Sequence, residues 1–254
     1  MYSFKGSITF GFVYIPITLH LAAKENTINF NLLEKKTKSR IKYKKTCVDC
    51  NNKEIKQDDI IKGYEYEEGK YVIFEDDDFE KLKSKRDKNI NISNFIDINE
   101  IDPIFYNKTY YINPTGAFNA YSLLHKVMTK TNKVALGKTV LGYKETLILI
   151  RTVKNNMLLN TLYFLDEIKD NPYKDKLDKI NPEELKLATK LIENMTTTFK
   201  PEIYKDEYQK KLELAIEAKI KGKDIVQIED EEQHQAKDLM EALQLSLKKN
   251  NGFI

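Results

Sequence analysis

One short internal segment concentrates side chains that could bind phosphate groups. Residues 35–45, KKTKSRIKYKK, contain seven basic side chains and no acidic one. Ile41 and Tyr43 alternate with three of these cations, Arg40, Lys42 and Lys44. A period of two is typical of a strand, so the pattern predicts a cationic face and a buried face formed by Ile41 and Tyr43. Runs of like charge are also common in solvated faces and disordered tails, but the internal position disfavours a tail.

Cys47 and Cys50 have the C-x-x-C spacing of half a zinc site. A structural zinc ion needs four ligands, and the chain contains no further cysteine. The histidines are scattered over a predicted strand, a predicted helix and the tail: His20, His125 and His234. Two chains could pool four thiols, but a turn with reduced thiols is the favoured interpretation. The sequence therefore predicts no metal site, and no βαβ pattern supports a redox motif.

The sequence contains none of the common signatures of catalysis. There is no P-loop, no G-x-S-x-G and no H-E-x-x-H. The run Asp76, Asp77 and Asp78 could suggest a metal, but acidic residues in the first turn of a helix explain it better. We therefore predict a protein that is not an enzyme and that uses no cofactor.

Charge is distributed unevenly over the 254 residues. The net charge of +3 divides into +6 for residues 1–200 and −3 for residues 201–254. No apolar stretch approaches the length of about 18 residues that a membrane span needs. The N-terminus does not have the pattern of a signal peptide. Together with the low cysteine content, these features predict a cytoplasmic protein.

Strand patterns dominate the first two thirds of the chain. β-branched and aromatic residues fill 3–21, and 64–74 (YEYEEGKYVIF) is predicted to form a hairpin, followed by a helix over 75–84. The pattern then predicts short strands within 90–114, a helix over 116–131, and three strands over 134–141, 146–153 and 157–164.

Helical patterns replace strands beyond residue 170. Helices are predicted over 182–195, over 201–219 and, after a polar linker, up to residue 249. The sequence thus predicts an α+β, β-rich fold in three parts. These are a β core over 1–170, a helical arm over 171–222, and a linker with a terminal helix over 223–254.

The terminal helix carries an apolar stripe formed by Leu239, Met240, Leu243 and Leu247. Such a stripe can pack on the helix's own domain. It can equally fill the groove of a partner, and the preceding polar linker would let the helix reach away. The sequence favours neither interpretation.

Seven segments, in this order and spacing, carry a resemblance to a known family. They are KGSITFGFVYIPITLH (5–20), SRIKYKKTC (39–47), IKGYEYEEGKYVIFEDDDFEKL (61–82), EIDPIFYNKTYYINP (100–114), LNTLYF (159–164), ELKLATKLIENM (184–195) and DLMEALQLSL (238–247). Together they resemble bacterial Ku, the homodimeric DNA-end-binding family of non-homologous end joining. The resemblance implies a β-barrel core with a bridge hairpin, dimerised into a ring that threads duplex DNA close to the bacterial nucleoid. It also implies a C-terminal extension that recruits and stimulates an ATP-dependent DNA repair ligase.

The resemblance also implies which residues bind these partners. A ring that accepts any broken end contacts phosphates and sugars rather than base edges. The predicted DNA-binding residues are therefore cations: Lys35, Lys36, Lys38, Arg40, Lys42, Lys44, Lys45, Lys138 and Lys144. The stripe of the terminal helix becomes the predicted ligase-binding surface. Few aromatic residues share the cationic face, which disfavours single-strand binding by stacking.

Two positions depart from the family pattern. Many members carry a His-x-x-Cys pair just before SRIKYK, and here Glu34 and Thr37 stand at those places. A family zinc site is therefore not carried over. Gly142 stands where the pattern suggests an arginine, although Lys144 keeps a cation close by.

Two other classes of function remain open on the sequence. An RNA-binding β-barrel module would use the same cationic strand. A lyase could use a lysine through a Schiff base, which requires a lysine with a lowered pKa.

Overall fold

The structure is a computed structural model that describes residues 4–82, 89–141, 144–173, 180–224 and 239–250. The chain divides into two compact units, residues 1–170 and residues 171–254. Within the described ranges, no helix is long and apolar enough to cross a bilayer.

The first unit is built on a closed barrel of seven strands. These are β1 (Phe4–Phe10), β2 (Val13–Leu21), β5 (Asn89–Asp97), β6 (Tyr106–Pro114), β7 (Lys133–Leu141), β8 (Lys144–Val153) and β9 (Asn156–Leu162). Their order around the barrel is β1-β2-β6-β9-β8-β7-β5. All neighbours are antiparallel except β1 and β5, which pair in parallel and close the barrel. The predicted α+β fold with a β-barrel core is confirmed.

The barrel interior is filled by aliphatic side chains from all seven strands. Ile8, Ile17 and Ile150 are among those with no exposed surface, and each such side chain contributes about 1.5–3 kcal/mol through burial. The predicted helix over 116–131 is α2 (Phe118–Thr131), which packs against β2, β7 and β8. Its buried residues, Leu124 and Met128, join the barrel core.

The strand directions give the barrel two distinct ends. At the first, which we call the turn end, Gly11 adopts a positive φ of 54° between β1 and β2. At the second, which we call the insert end, the chain leaves β2 after Leu21 and returns into β5 at Asn89. The strand β2 has nine residues and runs about 26 Å from one end to the other at about 3.3 Å a residue. The segment between Leu21 and Asn89, which we call the insert, therefore leaves and rejoins the barrel at the same end.

The insert contains a separate two-stranded hairpin, β3 (Lys62–Glu67) and β4 (Lys70–Phe74), followed by α1 (Asp76–Leu82). Both predicted elements are confirmed. The three aspartates occupy the first turn of α1, where the helix dipole favours negative charge.

The described part of the second unit forms three α-helices, α3 (Pro182–Met195), α4 (Glu207–Ile220) and α5 (Leu239–Asn250). The predicted start of the second of these at residue 201 is wrong. Residues Pro201–Ile203 form only a short 3₁₀ turn, and α4 begins where the Asp206 side chain accepts a hydrogen bond from the backbone N–H of Gln209 at 2.9 Å. The polar linker, residues 225–238, lies outside the described residues.

Candidate nucleic-acid interface

The basic segment is exposed along its whole length and does not form the predicted strand. Leu33 and Arg40 form an isolated β-bridge, and residues 35–45 form no continuous strand. Ile41 and Tyr43, predicted to be buried, are 49% and 84% exposed. Alternation produces a buried face only where another layer packs against the strand, and nothing in the described part of the chain does so. Tyr43 therefore presents an aromatic ring among the cations.

A tight turn at Glu34 gives the segment its shape. The backbone N–H of Lys36 donates to a carboxylate oxygen of Glu34 at 2.9 Å, and that of Thr37 donates to the same oxygen. These hydrogen bonds hold the pKa of the Glu34 carboxyl below its usual value, and the bond from Lys36 has the largest effect. Lys38 takes a positive φ of 57° at the bend. The turn therefore replaces the extended backbone that would have placed alternate cations on one face.

A second turn follows directly and engages the last two cations. Thr46 pairs with Glu54 across it, and the predicted turn at the two cysteines contains a 3₁₀ turn at Val48–Cys50. Lys44 forms an ion pair with Glu54 at 2.6 Å, and Lys45 donates to the side-chain oxygen of Gln57 at 2.7 Å. Both contacts are exposed, so water and salt weaken them and a phosphate could replace them.

The remaining five cations of the segment make no ion pair within the described residues. They are Lys35, Lys36, Lys38, Arg40 and Lys42. An exposed cation without an acidic partner can accept a phosphate without first losing another ion pair. These five residues are therefore the strongest candidates for phosphate contacts.

Lys138 and Lys144 lie on the barrel, each beside a glutamate. Lys138 in β7 pairs with Glu145 at 3.0 Å and lies 5.5 Å above the ring of Phe164. Lys144, at the start of β8, pairs with Glu167. The hydrogen bond from Lys144, followed by that from the backbone N–H of Phe164, lowers the pKa of Glu167. Both cations are exposed but partly neutralised, so they are weaker candidates than those on the insert.

Sequence reasoning missed Lys108. This exposed lysine of β6 lines a cavity of about 190 Å³ together with Lys144 and Thr161. Its backbone N–H donates to the hydroxyl of Thr161 at 3.0 Å, which fixes its place beside β9. No local pattern singles out Lys108, because only the β6–β9 pairing brings it next to β8.

The topology gathers these cations at the insert end of the barrel. Lys138 pairs with Asn91, two residues from the return of the insert, and Lys144 pairs with Leu141 at the end of β7. Lys108 is two residues before Tyr110, the partner of Leu21. Exposed cations on a rigid barrel and on the insert at its end can bind phosphates, and this arrangement carries no base-specific information.

Cys47 and Cys50 lie together in the second turn, with their Sγ atoms 2.9 Å apart. The hydrogen bond with Cys47 raises the pKa of the Cys50 thiol, which favours the form that does not bind metal. Glu34 already accepts two backbone hydrogen bonds in its own turn. The described residues contain no group of three or more possible metal ligands. The residues present thus do not fit the four-ligand zinc site of the family pattern.

The terminal helix packs on its own unit. Helix α5 contacts α3, and the predicted stripe is divided by this packing. Leu247 is only 9% exposed, Met240 and Leu243 are half-buried, and Leu239 is 58% exposed. Gly142, the second departure from the family pattern, lies outside the described residues.

Comparison with known families identifies the family to which the barrel belongs. A family model described as the Ku70/Ku80 beta-barrel domain matches residues 9–187, which include every strand from β2 to β9. The chain belongs to the Ku family.

Relatives named Ku match nearly the whole chain. The non-homologous end joining protein Ku of Lachnoclostridium phytofermentans is 44% identical over 250 residues, covering 98% of this chain and 97% of the relative. The protein of the same name from Archaeoglobus fulgidus is 40% identical over 97% of this chain and 98% of its own length. The one from Bacillus subtilis is 34% identical over 96% of this chain and 80% of its own length. The predicted resemblance to Ku is confirmed.

Proposed function

We propose that this chain binds the ends of double-stranded DNA, independently of sequence, as a ring-shaped homodimer in non-homologous end joining. The observation that carries the proposal is the set of five exposed cations of the basic segment that have no ion-pair partner among the described residues, on an insert that joins one end of a Ku-type barrel. Contacts to phosphates give affinity through counterion release and suit a protein that must accept any end.

The runner-up is RNA binding, and a competition experiment separates the two. The protein is bound to a labelled blunt DNA duplex, and unlabelled DNA or RNA duplex of the same sequence is added. We expect the DNA to compete at a clearly lower concentration, because a rigid ring shaped to the B-form duplex fits the A-form duplex poorly, since its major groove is deep and narrow and its minor groove wide and shallow. Equal competition by RNA would favour the general RNA-binding module.

The lyase alternative has no support in the geometry. Schiff-base lysines are usually desolvated, which lowers the cost of losing their charge. Every lysine whose burial the structure describes is exposed.

Dimerisation is supported by apolar surface on the second unit. Large side chains that are more than half exposed lie on and between α3 and α4: Leu185, Ile192, Met195, Phe199, Tyr204, Tyr208 and Leu214. Exposed apolar surface of this extent is typical of an interface, and obligate homodimers bury large apolar areas. We expect sedimentation to show a dimer without DNA, with these helices at or beside the contact. A stable monomer at micromolar concentration would count against the proposal.

We further propose that the C-terminal segment recruits and stimulates an ATP-dependent DNA ligase. Deletion of residues 229–254 is expected to abolish stimulation of the ligase and to leave end binding intact, because the segment is acidic on balance. Leu243→Asp is expected to do the same, since a charge in a half-buried apolar stripe costs about 2 kcal/mol or more in desolvation. Ligation of linear duplex and an end-binding assay measure the two effects.

Two further variants distinguish recruitment from simple packing on α3. Leu239→Asp changes the exposed end of the stripe, and Leu245→Asp changes an exposed leucine on the other side of α5. If a ligase binds the stripe, Leu239→Asp also weakens stimulation of the ligase and Leu245→Asp does not. Normal stimulation by the Leu243→Asp protein would exclude the stripe as the recruiting element. Loss of end binding would show that α5 serves only its own unit.

A further inference from the structure

A second surface of the first unit, at the turn end of the barrel, has the character of a docking groove. Strands β1 and β5 pair only from Ser7 to Thr9, so their last residues are not joined by backbone hydrogen bonds. Between these ends and α2 lies a groove of about 450 Å³. Its walls are apolar: Phe10 and Phe95 meet edge to face, with ring centroids 6.5 Å apart, and α2 supplies Leu123 and Val127.

Several apolar side chains of the groove are exposed to solvent and do not pack into the barrel core. Leu123 is 64% exposed, and Phe95 and Val127 are about half exposed. Phe12 projects from the adjacent β1–β2 turn and is fully exposed. A contiguous apolar surface of this kind usually marks a site of interaction.

The rim of the groove is basic on the side of α2. Lys126 and Lys130 are exposed one turn apart and lie beside the row formed by Leu123 and Val127. Lys133, at the end of the groove, is only loosely held by Asp97 at 3.7 Å. Lysines at the rim of an apolar groove are complementary to a partner whose apolar side chains are flanked by acidic residues.

We propose that this groove docks an acidic amphipathic helix of a partner protein. The row Leu123–Val127 on α2 offers the ridge against which the i, i+3, i+4 and i+7 side chains of such a helix pack. A symmetric contact with a second copy of the same groove is disfavoured, because it would bring one basic rim against another. The inference is independent of the proposed DNA binding, since the groove lies at the end of the barrel opposite the insert.

The test uses the full-length protein and two labelled helical peptides. Both carry leucines at i, i+3, i+4 and i+7; one has glutamates at its other positions and its matched control has lysines. Fluorescence anisotropy is expected to show binding of the glutamate peptide and about tenfold weaker or no binding of the lysine peptide. Leu123→Ser should weaken binding of the glutamate peptide by about tenfold, and Lys126→Glu with Lys130→Glu should weaken it further. Leu165→Ser, a change of an exposed leucine outside the groove, should have no effect.

Four results would overturn the proposal. Equal binding of both peptides, or unchanged binding to the Leu123→Ser protein, would mean that the groove does not recognise an acidic helix. A shift of the Leu123→Ser protein from dimer to monomer in sedimentation would mean that a second copy covers the groove. Binding to vesicles of anionic lipid that Leu123→Ser abolishes, without binding of either peptide, would assign the surface to a membrane. Unchanged DNA-end binding by the Leu123→Ser protein would support the separation of the groove from the cationic end.

Discussion

Covalently closed circular DNA is expected to compete poorly for this protein against linear DNA of the same sequence. The insert leaves the barrel after Leu21 and rejoins it at Asn89, both at the same end, and its hairpin is exposed along almost all of β3 and β4. If two such inserts, one from each protomer of the proposed dimer, close over a duplex, DNA can enter only through an end. The expected effect is nearly complete, because a closed circle offers no end at any salt concentration.

The measurement is competition against a labelled linear duplex with one plasmid in three forms. Linearised plasmid should compete, whereas the supercoiled and the relaxed closed circles should not. The relaxed circle controls for supercoiling, which changes the shape of the duplex without creating an end. Equal affinity for circular and linear DNA would defeat the ring proposal while leaving a general phosphate-binding surface possible.

Replacement of Arg40, Lys42 and Lys44 by alanine is expected to flatten the salt dependence of DNA binding. Each lost phosphate contact lowers the slope of log K against log salt by about 0.9, so three contacts amount to roughly 2.7 per protomer. Lys44 is paired with Glu54, whereas Arg40 and Lys42 have no ion pair among the described residues. The double variant Arg40→Ala with Lys42→Ala should therefore account for most of the change, about 1.8 per protomer.

A matched double variant at the turn end provides the control. Lys126→Ala with Lys130→Ala removes the same number of exposed charges from α2, away from the insert. Its slope should stay close to that of the unchanged protein. A triple variant of the basic segment that folds normally and keeps the parental slope would place the DNA on another surface, and the segment would then be an ordinary solvated face.

The barrel strands were predictable because their patterns depend on local sequence. Alternating or continuous apolar residues at 134–141, 146–153 and 157–164 correspond to β7, β8 and β9, and the apolar stripe of 116–131 corresponds to α2. The same rule failed at residues 35–45. Ile41 and Tyr43 alternate as a strand would, but alternation does not create the layer that would bury them, and the Glu34 turn shapes the segment instead.

The sequence by itself therefore determined the type of most elements, the excess of cations in the insert and, through its order of segments, membership of the Ku family. Tertiary structure decided which cations lie together. Strand β6 is far from β8 and β9 in the chain, so only the pairing of β6 with β9, which also pairs with β8, places Lys108 near Lys144. Tertiary structure also decided that Lys138 and Lys144 form ion pairs with Glu145 and Glu167. It likewise created the apolar groove where β1 and β5 are no longer paired. Such contacts depend on the packing of distant segments, for which a linear pattern contains no direct signal.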